Sequence, residues 1–195
     1  MGAAAAAALL RGPLPKIRGE VKVPGLDGPI AIDRDASGVP HIRASSEHDA
    51  FFAQGWCLAQ DRMWQLETFR RLCYGTISEL AGPVGLESDR FMRRLGLKAI
   101  AERVLAAMSD ESRRVLQAYA DGFNTYLRLF PRKIPIEFRL VRGCPQPWEP
   151  IASIAFFRYI GWNLTGVHDR ILAFGKCAEA LPADVFKALF GAEAA

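Results

Sequence analysis

No stretch of this chain is apolar over the length a bilayer requires. The N-terminal MGAAAAAALLRG holds a short alanine-rich run, far below the roughly 20 residues of a membrane span. That run lacks the preceding basic residues and the small-residue cleavage site of a whole signal peptide, and Gly2 has no Ser or Thr at position six to complete a myristoylation signal. Residues 1–18 therefore read as a leader remnant or an extended N-terminal arm. The four cysteines, Cys57, Cys73, Cys144 and Cys177, are too few and too scattered for a disulfide framework. Cys57 and Cys73 fall inside an apolar helical pattern, as small buried hydrophobes do. There is no C-x2-C pair, zinc-finger spacing, RNA-binding aromatic signature or glycine-rich phosphate loop. The excess of Lys and Arg over acids is only four, and it reads as a solvated surface rather than a nucleic-acid footprint.

The common hydrolase signals are missing as well. G-x-S-x-G, S-x-x-K and H-E-x-x-H do not occur, and the three histidines, His41, His48 and His168, read as structural or surface groups. Nucleophilic catalysis needs a Ser, Cys or Thr within reach of a base that a third group orients, and this chain alone shows no such set. Adjacent acids such as Asp110 and Glu111 sit where a helix dipole accounts for them.

What is present is a folded, mainly α chain with a few short strands. Half its residues are hydrophobic and a quarter charged, and its length suits one domain, residues 19–195. From Gly19 to Ala44, β-type runs alternate with Pro, Gly and Asp turn signals, which predicts strands near Glu20–Val23, Pro29–Asp33 and His41–Arg43. Ser46 then caps a long helix over about Glu47–Leu72, with Asp49 as its first-turn acid. Phe52, Trp56, Ala59, Met63 and Leu66 fall near a 3.6-residue period, and Cys57, Leu58, Trp64, Phe69 and Cys73 widen that stripe, so the helix is buried on more than one side. Short helices follow over TISELAG, LESDRFMRRLGL and KAIAERVLAAM. A helix over about Asp110–Leu129 has Ser109 as N-cap and ends before Pro131. IASIAFFRYIGWNLTGVHDRILAF carries one or two core helices, and PADVFKALFG a last one between Pro182 and Gly191.

Charges interrupt the long helix at QGWCLAQDRMWQLETFRRLCYG. Glu67 reaches Arg70 and Arg71 at i+3 and i+4, a spacing that gives ion pairs rimming a core helix. Asp61 and Arg62 sit in its most apolar part, so they are expected buried, paired and architectural.

The block DRDASGVPHIRASSEHDAFFAQGWCLAQDRMWQLETFRRLCYGTISELAG resembles the opening of the α-subunit of penicillin acylases and their relatives, the acyl-homoserine-lactone and cephalosporin acylases. The likeness continues through SDRFMRRLGL, LQAYADGFNTYL and CPQPWEP, from about Gly19 to Ala183, and the order and spacing of these motifs are specific. The resemblance implies the α-subunit of an αββα N-terminal nucleophile hydrolase, cut from one precursor. Its partner β-chain would carry an N-terminal Ser acting as nucleophile through its own α-amine. It implies an N-acylated small-molecule substrate, no required cofactor, and a periplasmic or secreted location. By the same resemblance, Tyr159, Gly161, Trp162, Asn163, Leu164 and Thr165 line the acyl pocket; read from the residues alone, Tyr159 and Trp162 are more often core aromatics of a buried helix. Some members hold a structural calcium through an acid just beyond this stretch. Here Asp169 in GVHDRIL is the only carboxylate, and the roughly six to eight oxygen ligands calcium takes exceed what this chain offers. Neutral pocket residues favour an apolar acyl group, whereas Arg158 turned inward would suit a glutaryl carboxylate, as in cephalosporin or glutaryl acylases. A reading of a different kind is a non-catalytic helical module that buries its apolar faces against another partner.

Overall fold

Two helices lie so close that their backbones touch, and the rest of the core is arranged around that seam. A computed structural model describes Leu14, residues 17–166 and residues 168–191, except the side chains of His168 and Asp169. Most of the N-terminal arm, 1–18, thus lies outside the described residues. Helix α1 spans Glu47–Tyr74. Two short helices, α2 (Ser78–Ala81) and α3 (Leu86–Leu95), flank a 3-10 turn at Gly82–Gly85. Helix α4 runs over Leu97–Ala107, and α5 over Asp110–Leu129. A Cβ on Gly55 of α1 would stand 1.9 Å from the Tyr119 carbonyl oxygen, and one on Gly122 of α5 would stand 1.8 Å from that of Phe52. Only glycine fits at these two crossings.

Around the seam, Phe52, Trp56, Ala59, Met63 and Leu66 of α1 meet Ala120, Phe123 and Tyr126 of α5 in one buried cluster. The 3.6-residue spacing puts these side chains on one face, and their burial supplies the main hydrophobic gain. Phe138 of α6 (Ile136–Leu140), Trp148 and Ala152 complete the cluster. Asn124 secures the Trp148 segment, its side chain accepting from the Trp148 N–H at 2.7 Å and donating to the Trp148 carbonyl at 2.9 Å. The Trp148 indole N–H donates to Ser153 Oγ at 2.9 Å. A buried indole needs such a partner.

The helix ends are capped as the sequence predicts. Ser46 Oγ accepts from the Asp49 N–H, and Ser109 Oγ from the Ser112 N–H, each at 3.2 Å. Gly75, at φ 64°, closes α1 in the left-handed conformation that favours glycine. Helix α1 is not continuous in geometry, because Arg62 (φ −136°, ψ 17°) breaks the helical dihedrals midway.

Ahead of α1, strands β1 (Ala31–Arg34) and β2 (Pro40–Arg43) pair antiparallel, with Ile32 opposite Ile42 and Asp33 opposite His41. Asp35 builds the turn between them, its Oδ1 accepting from the N–H groups of Ser37 and Val39 at 2.9 Å each. The strand expected at Glu20–Val23 does not form. Gly19 at φ 97° and Gly25 at φ 84° turn the chain on either side of it, so that run has no partner with which to form a ladder.

By packing, the chain divides after Phe157 into two compact units. Helix α7 (Pro150–Thr165) crosses that division, and α8 (His168–Ala180) and α9 (Ala183–Phe190) belong to the second unit. Of the expected core helices, only the start of α7 is buried, at Ala152, Ile154 and Ala155. In the second unit, Phe174 of α8 meets Phe186 and Phe190 of α9 at ring distances of 6.4 and 4.8 Å.

Candidate functional site

The charged residues of α1 take up three different tasks, and two of them differ from the sequence expectation. Asp61 and Arg62 do not form a buried pair; both lie at the surface of this chain. Asp61 instead binds Arg34 of β1 in a fork, Nη1 to Oδ2 at 2.8 Å and Nη2 to Oδ1 at 3.0 Å. Arg34 also donates to Gln60 Oε1 and to the Gly38 carbonyl, each at 3.0 Å, so one guanidinium ties the hairpin and its turn to mid-α1. They were expected inside because they sit in the most apolar part of the helix, but Asp61 falls opposite the face that Ala59 and Met63 bury, and Arg62 leaves the helical dihedrals.

Glu67 was expected at the rim, yet it is buried. It accepts from Arg70 Nη2 and Arg71 Nε at 2.6 Å each, and Arg71 goes on to pair with Glu79 of α2. Burial pulls the Arg71 guanidinium down, but Glu67 and Glu79 outweigh it and hold it above its usual range. A carboxylate held by two guanidiniums has no free lone pair with which to serve as a general base, so this group is structural.

Two aspartates in helix first turns, Asp49 and Asp89, have larger roles than a first-turn acid. Asp49 is fully buried. Its two oxygens accept from the N–H groups of Asp27 and Gly28 at 3.1 and 3.0 Å, and His48 Nδ1 lies 3.0 Å from Oδ1. Burial pushes the carboxyl up, but these hydrogen bonds outweigh it and hold it below the ordinary aspartate value. Asp89 of α3 repeats the device, accepting from the N–H groups of Ile77 and Ser78 at 2.7 and 3.0 Å and from the Ser78 hydroxyl. Burial raises this carboxyl too, and the Ser78 and Ile77 bonds again lower it below its usual value. The local signal at Asp49, Ser46 three residues earlier, reveals a cap but not the distant loop that the carboxylate pins.

Among the described residues, only Asp27, His48 and Asp49 bring three metal-type donor groups within 4.8 Å of one another. Both Asp49 oxygens already face backbone N–H groups, and a histidine nitrogen is not a calcium ligand, so this cluster does not fit calcium. Asp169 lies in α8, and its side chain is outside the described residues.

No nucleophile is activated among the described side chains. His41 Nε2 stands 3.3 Å from Asp35 Oδ2, and His48 partners Asp49; neither meets a hydroxyl or a thiol. Burial pushes the Cys57 thiol up to about 11 and the Cys73 thiol up to about 12, which removes both as nucleophiles at neutral pH. A groove of about 870 Å³ opens between the hairpin and α1, with Arg34, Ile42, Leu58, Asp61, Arg62 and Ile136 among its walls.

The stretch expected to line an acyl pocket forms the last turns of α7. Tyr159 and Trp162 are half-buried with rings 6.0 Å apart, and Thr165 Oγ1 donates to the Trp162 carbonyl at 2.6 Å. Gly161, Asn163, Leu164 and Thr165 are exposed, Leu164 at 78 %.

A helical chain fronted by a two-stranded hairpin, without an activated nucleophile among its described side chains, matches one family closely. The penicillin amidase family profile covers residues 29–193, and the chain belongs to that family. It is 39 % identical over 162 residues to penicillin acylase 2 proenzyme of Pseudomonas sp. strain SE83, covering 83 % of this chain and 21 % of that protein. It is 35 % identical over 151 residues to acyl-homoserine lactone acylase QuiP of Pseudomonas aeruginosa, covering 77 % of this chain and 18 % of that protein. A thermostable penicillin G acylase from Alcaligenes faecalis superposes with a TM-score of 0.69 at 25 % identity, covering 84 % of this chain and 92 % of the solved chain. The chain thus spans about a fifth of the length of the curated relatives it matches.

Proposed function

We propose that this chain is the α-subunit of a heterodimeric amidohydrolase of the penicillin acylase type, acting on the amide bond of an N-acylated small molecule, a β-lactam side chain or an acyl-homoserine lactone. The observation that carries the reading is the family match over residues 29–193 in a chain only about a fifth as long as its relatives, one of which is named a proenzyme. The nucleophile belongs to the partner β-chain of the same precursor. Its N-terminal Ser attacks the acyl carbon, its α-amine accepts the hydroxyl proton through a water, and donors on that chain hold the oxyanion. The part played by this chain is the acyl pocket, built on Tyr159, Gly161, Trp162, Asn163, Leu164 and Thr165. Its supports are the apolar character of that stretch and the exposure of Ile160 and Leu164 in the isolated chain, surface that calls for a cover. Neutral side chains there suit a phenylacetyl-like or fatty acyl group; the exposed Arg158 is the group that would pair with a glutaryl carboxylate. The proposed location is periplasmic or secreted, and among the described residues no helix is long and apolar enough to cross a membrane.

The test is expression of the complete open reading frame, intact-mass analysis of the product, and assay against phenylacetyl, fatty-acyl and glutaryl amides and acyl-homoserine lactones. Two chains, the larger beginning with Ser, and turnover of at least one acyl class are expected. A reading frame encoding no further chain, or an uncleaved and inert product, would sink the reading. His41→Ala and His48→Ala should each keep kcat within a hundredfold of the parent, because the base in this scheme is the nucleophile's own amine.

A further inference from the structure

The chain's positive charge is not spread over its surface. Residues 128–142 contain five Lys or Arg and a single acid, Glu137, whereas the remainder of the 25 basic and 21 acidic residues balances at twenty of each. The whole net charge of +4 therefore resides in fifteen residues. Within them, Arg128 and Arg132 bracket the exposed Leu129, and Arg139 and Arg142 bracket Leu140 and Val141, with Leu140 75 % exposed. Among the described residues no salt bridge engages Arg128, Arg132, Arg139 or Arg142. Arg142 holds φ 53°, the only non-glycine residue among those described with positive φ. That strained conformation ends the Leu140–Val141 tip.

The segment is anchored from beneath. Phe130 packs edge-on to Trp56 at 5.8 Å, and Phe138 packs on Trp64 at 5.0 Å, so both ends of the segment are anchored on α1. The inward aromatics account for why the chain is folded there; Arg128 donates to Thr125 Oγ1 at 3.3 Å, while Leu129, Arg132, Arg139, Leu140 and Arg142 stand exposed. Protein interfaces are depleted of charge at their centres, whereas surfaces that enter the headgroup layer of a bilayer combine isolated apolar tips with a surrounding excess of Lys and Arg.

We infer that residues 128–142 form a docking surface for an anionic phospholipid bilayer, with Leu129 and Leu140 entering the headgroup layer and Arg128, Arg132, Arg139 and Arg142 meeting lipid phosphates. The contact is peripheral and electrostatic, so it weakens with salt. It concerns residues other than the stretch assigned to the acyl pocket and stands whether or not the acylase reading holds.

The experiment is flotation of the full-length protein with vesicles of phosphatidylcholine alone or mixed with phosphatidylglycerol, at low and high ionic strength. Binding is expected on the anionic vesicles at low salt, with loss on pure phosphatidylcholine and at high salt. Each basic residue near an anionic surface contributes about fivefold, so Arg139→Gln with Arg142→Gln should lower partitioning by roughly 30-fold. Leu140→Ser should lower it separately with the charge unchanged. All three positions are exposed, and an unchanged melting temperature certifies the fold of each variant. Absence of binding to anionic vesicles, equal binding to neutral ones, or a loss not reproduced by these variants would overturn the inference. Capture by polyglutamate in place of vesicles would also overturn it, and would assign the patch to an acidic protein.

Discussion

Replacing Gly122 with alanine tests the seam on which the core is built. In an exposed helix this change should stabilise, since alanine exceeds glycine in helix propensity by about 1 kcal/mol. In α5 the added methyl would lie 1.8 Å from the Phe52 carbonyl oxygen, 2.7 Å from its carbonyl carbon and 3.1 Å from its Cα. All three are backbone atoms in the second turn of α1, so no side chain can rotate away. Relief requires the two helices to separate by roughly an ångström or more, which loses dispersion along the seam, and overpacking of this kind costs about 1–3 kcal/mol. Set against the propensity gain, the midpoint of that range leaves a net loss of about 1 kcal/mol, or roughly 2–4 °C in Tm for a chain of this size. Gly161 of α7 is the control, because among the described residues no atom comes within 4 Å of the Cβ it would gain; Gly161→Ala should be neutral or stabilising by up to about 1 kcal/mol. Thermal melts of both variants in the complete protein decide the matter. A Gly122→Ala protein that melts at or above the parent temperature would refute the close crossing of α1 and α5.

Asp61→Ala should cost only about 1 kcal/mol, because the fork with Arg34 is partly solvated; a loss near 3–5 kcal/mol in chemical denaturation would mean that the pair is buried in the mature protein. The folded-state pKa values of Asp49 and Asp89 are depressed, so the stability they contribute is complete above the ordinary value of 3.8 and is lost as pH falls through the folded values. Stability should accordingly decline below about pH 4, and Asp49→Asn should flatten that acid limb; an unchanged limb would remove the clamp from the account. Native iodoacetamide labelling followed by peptide mapping should modify Cys144 and spare Cys57 and Cys73, whose buried thiols stay protonated. Tyr159→Ala and Trp162→Ala should shift kcat/KM among acyl lengths by roughly tenfold to two-hundredfold, the range an apolar pocket commands. A uniform loss with the rank order kept would assign both rings to packing.

Local order was legible in the sequence because it depends on neighbours three or four residues apart. Ser46 and Ser109 cap their helices as their positions foretold, and α5 occupies the span that its stripe and Pro131 delimit. The buried thiols at Cys57 and Cys73 followed from the same periodicity. The order of the motifs likewise revealed the family before any fold was in view. What only the tertiary structure decided was where side chains reach across the chain. Asp61 was placed in the core because its neighbours in the chain are apolar, and its true partner, Arg34, lies 27 residues away on a strand. Asp49 looked like a cap and proved to pin the loop at Asp27 and Gly28, a contact no local pattern encodes. Glu67 met Arg70 and Arg71 as its spacing required, but the spacing did not show that the triad is buried or that Arg71 goes on to Glu79 of α2. Spacing along a helix sets which groups can meet; the elements that pack on the helix set the dielectric in which they do.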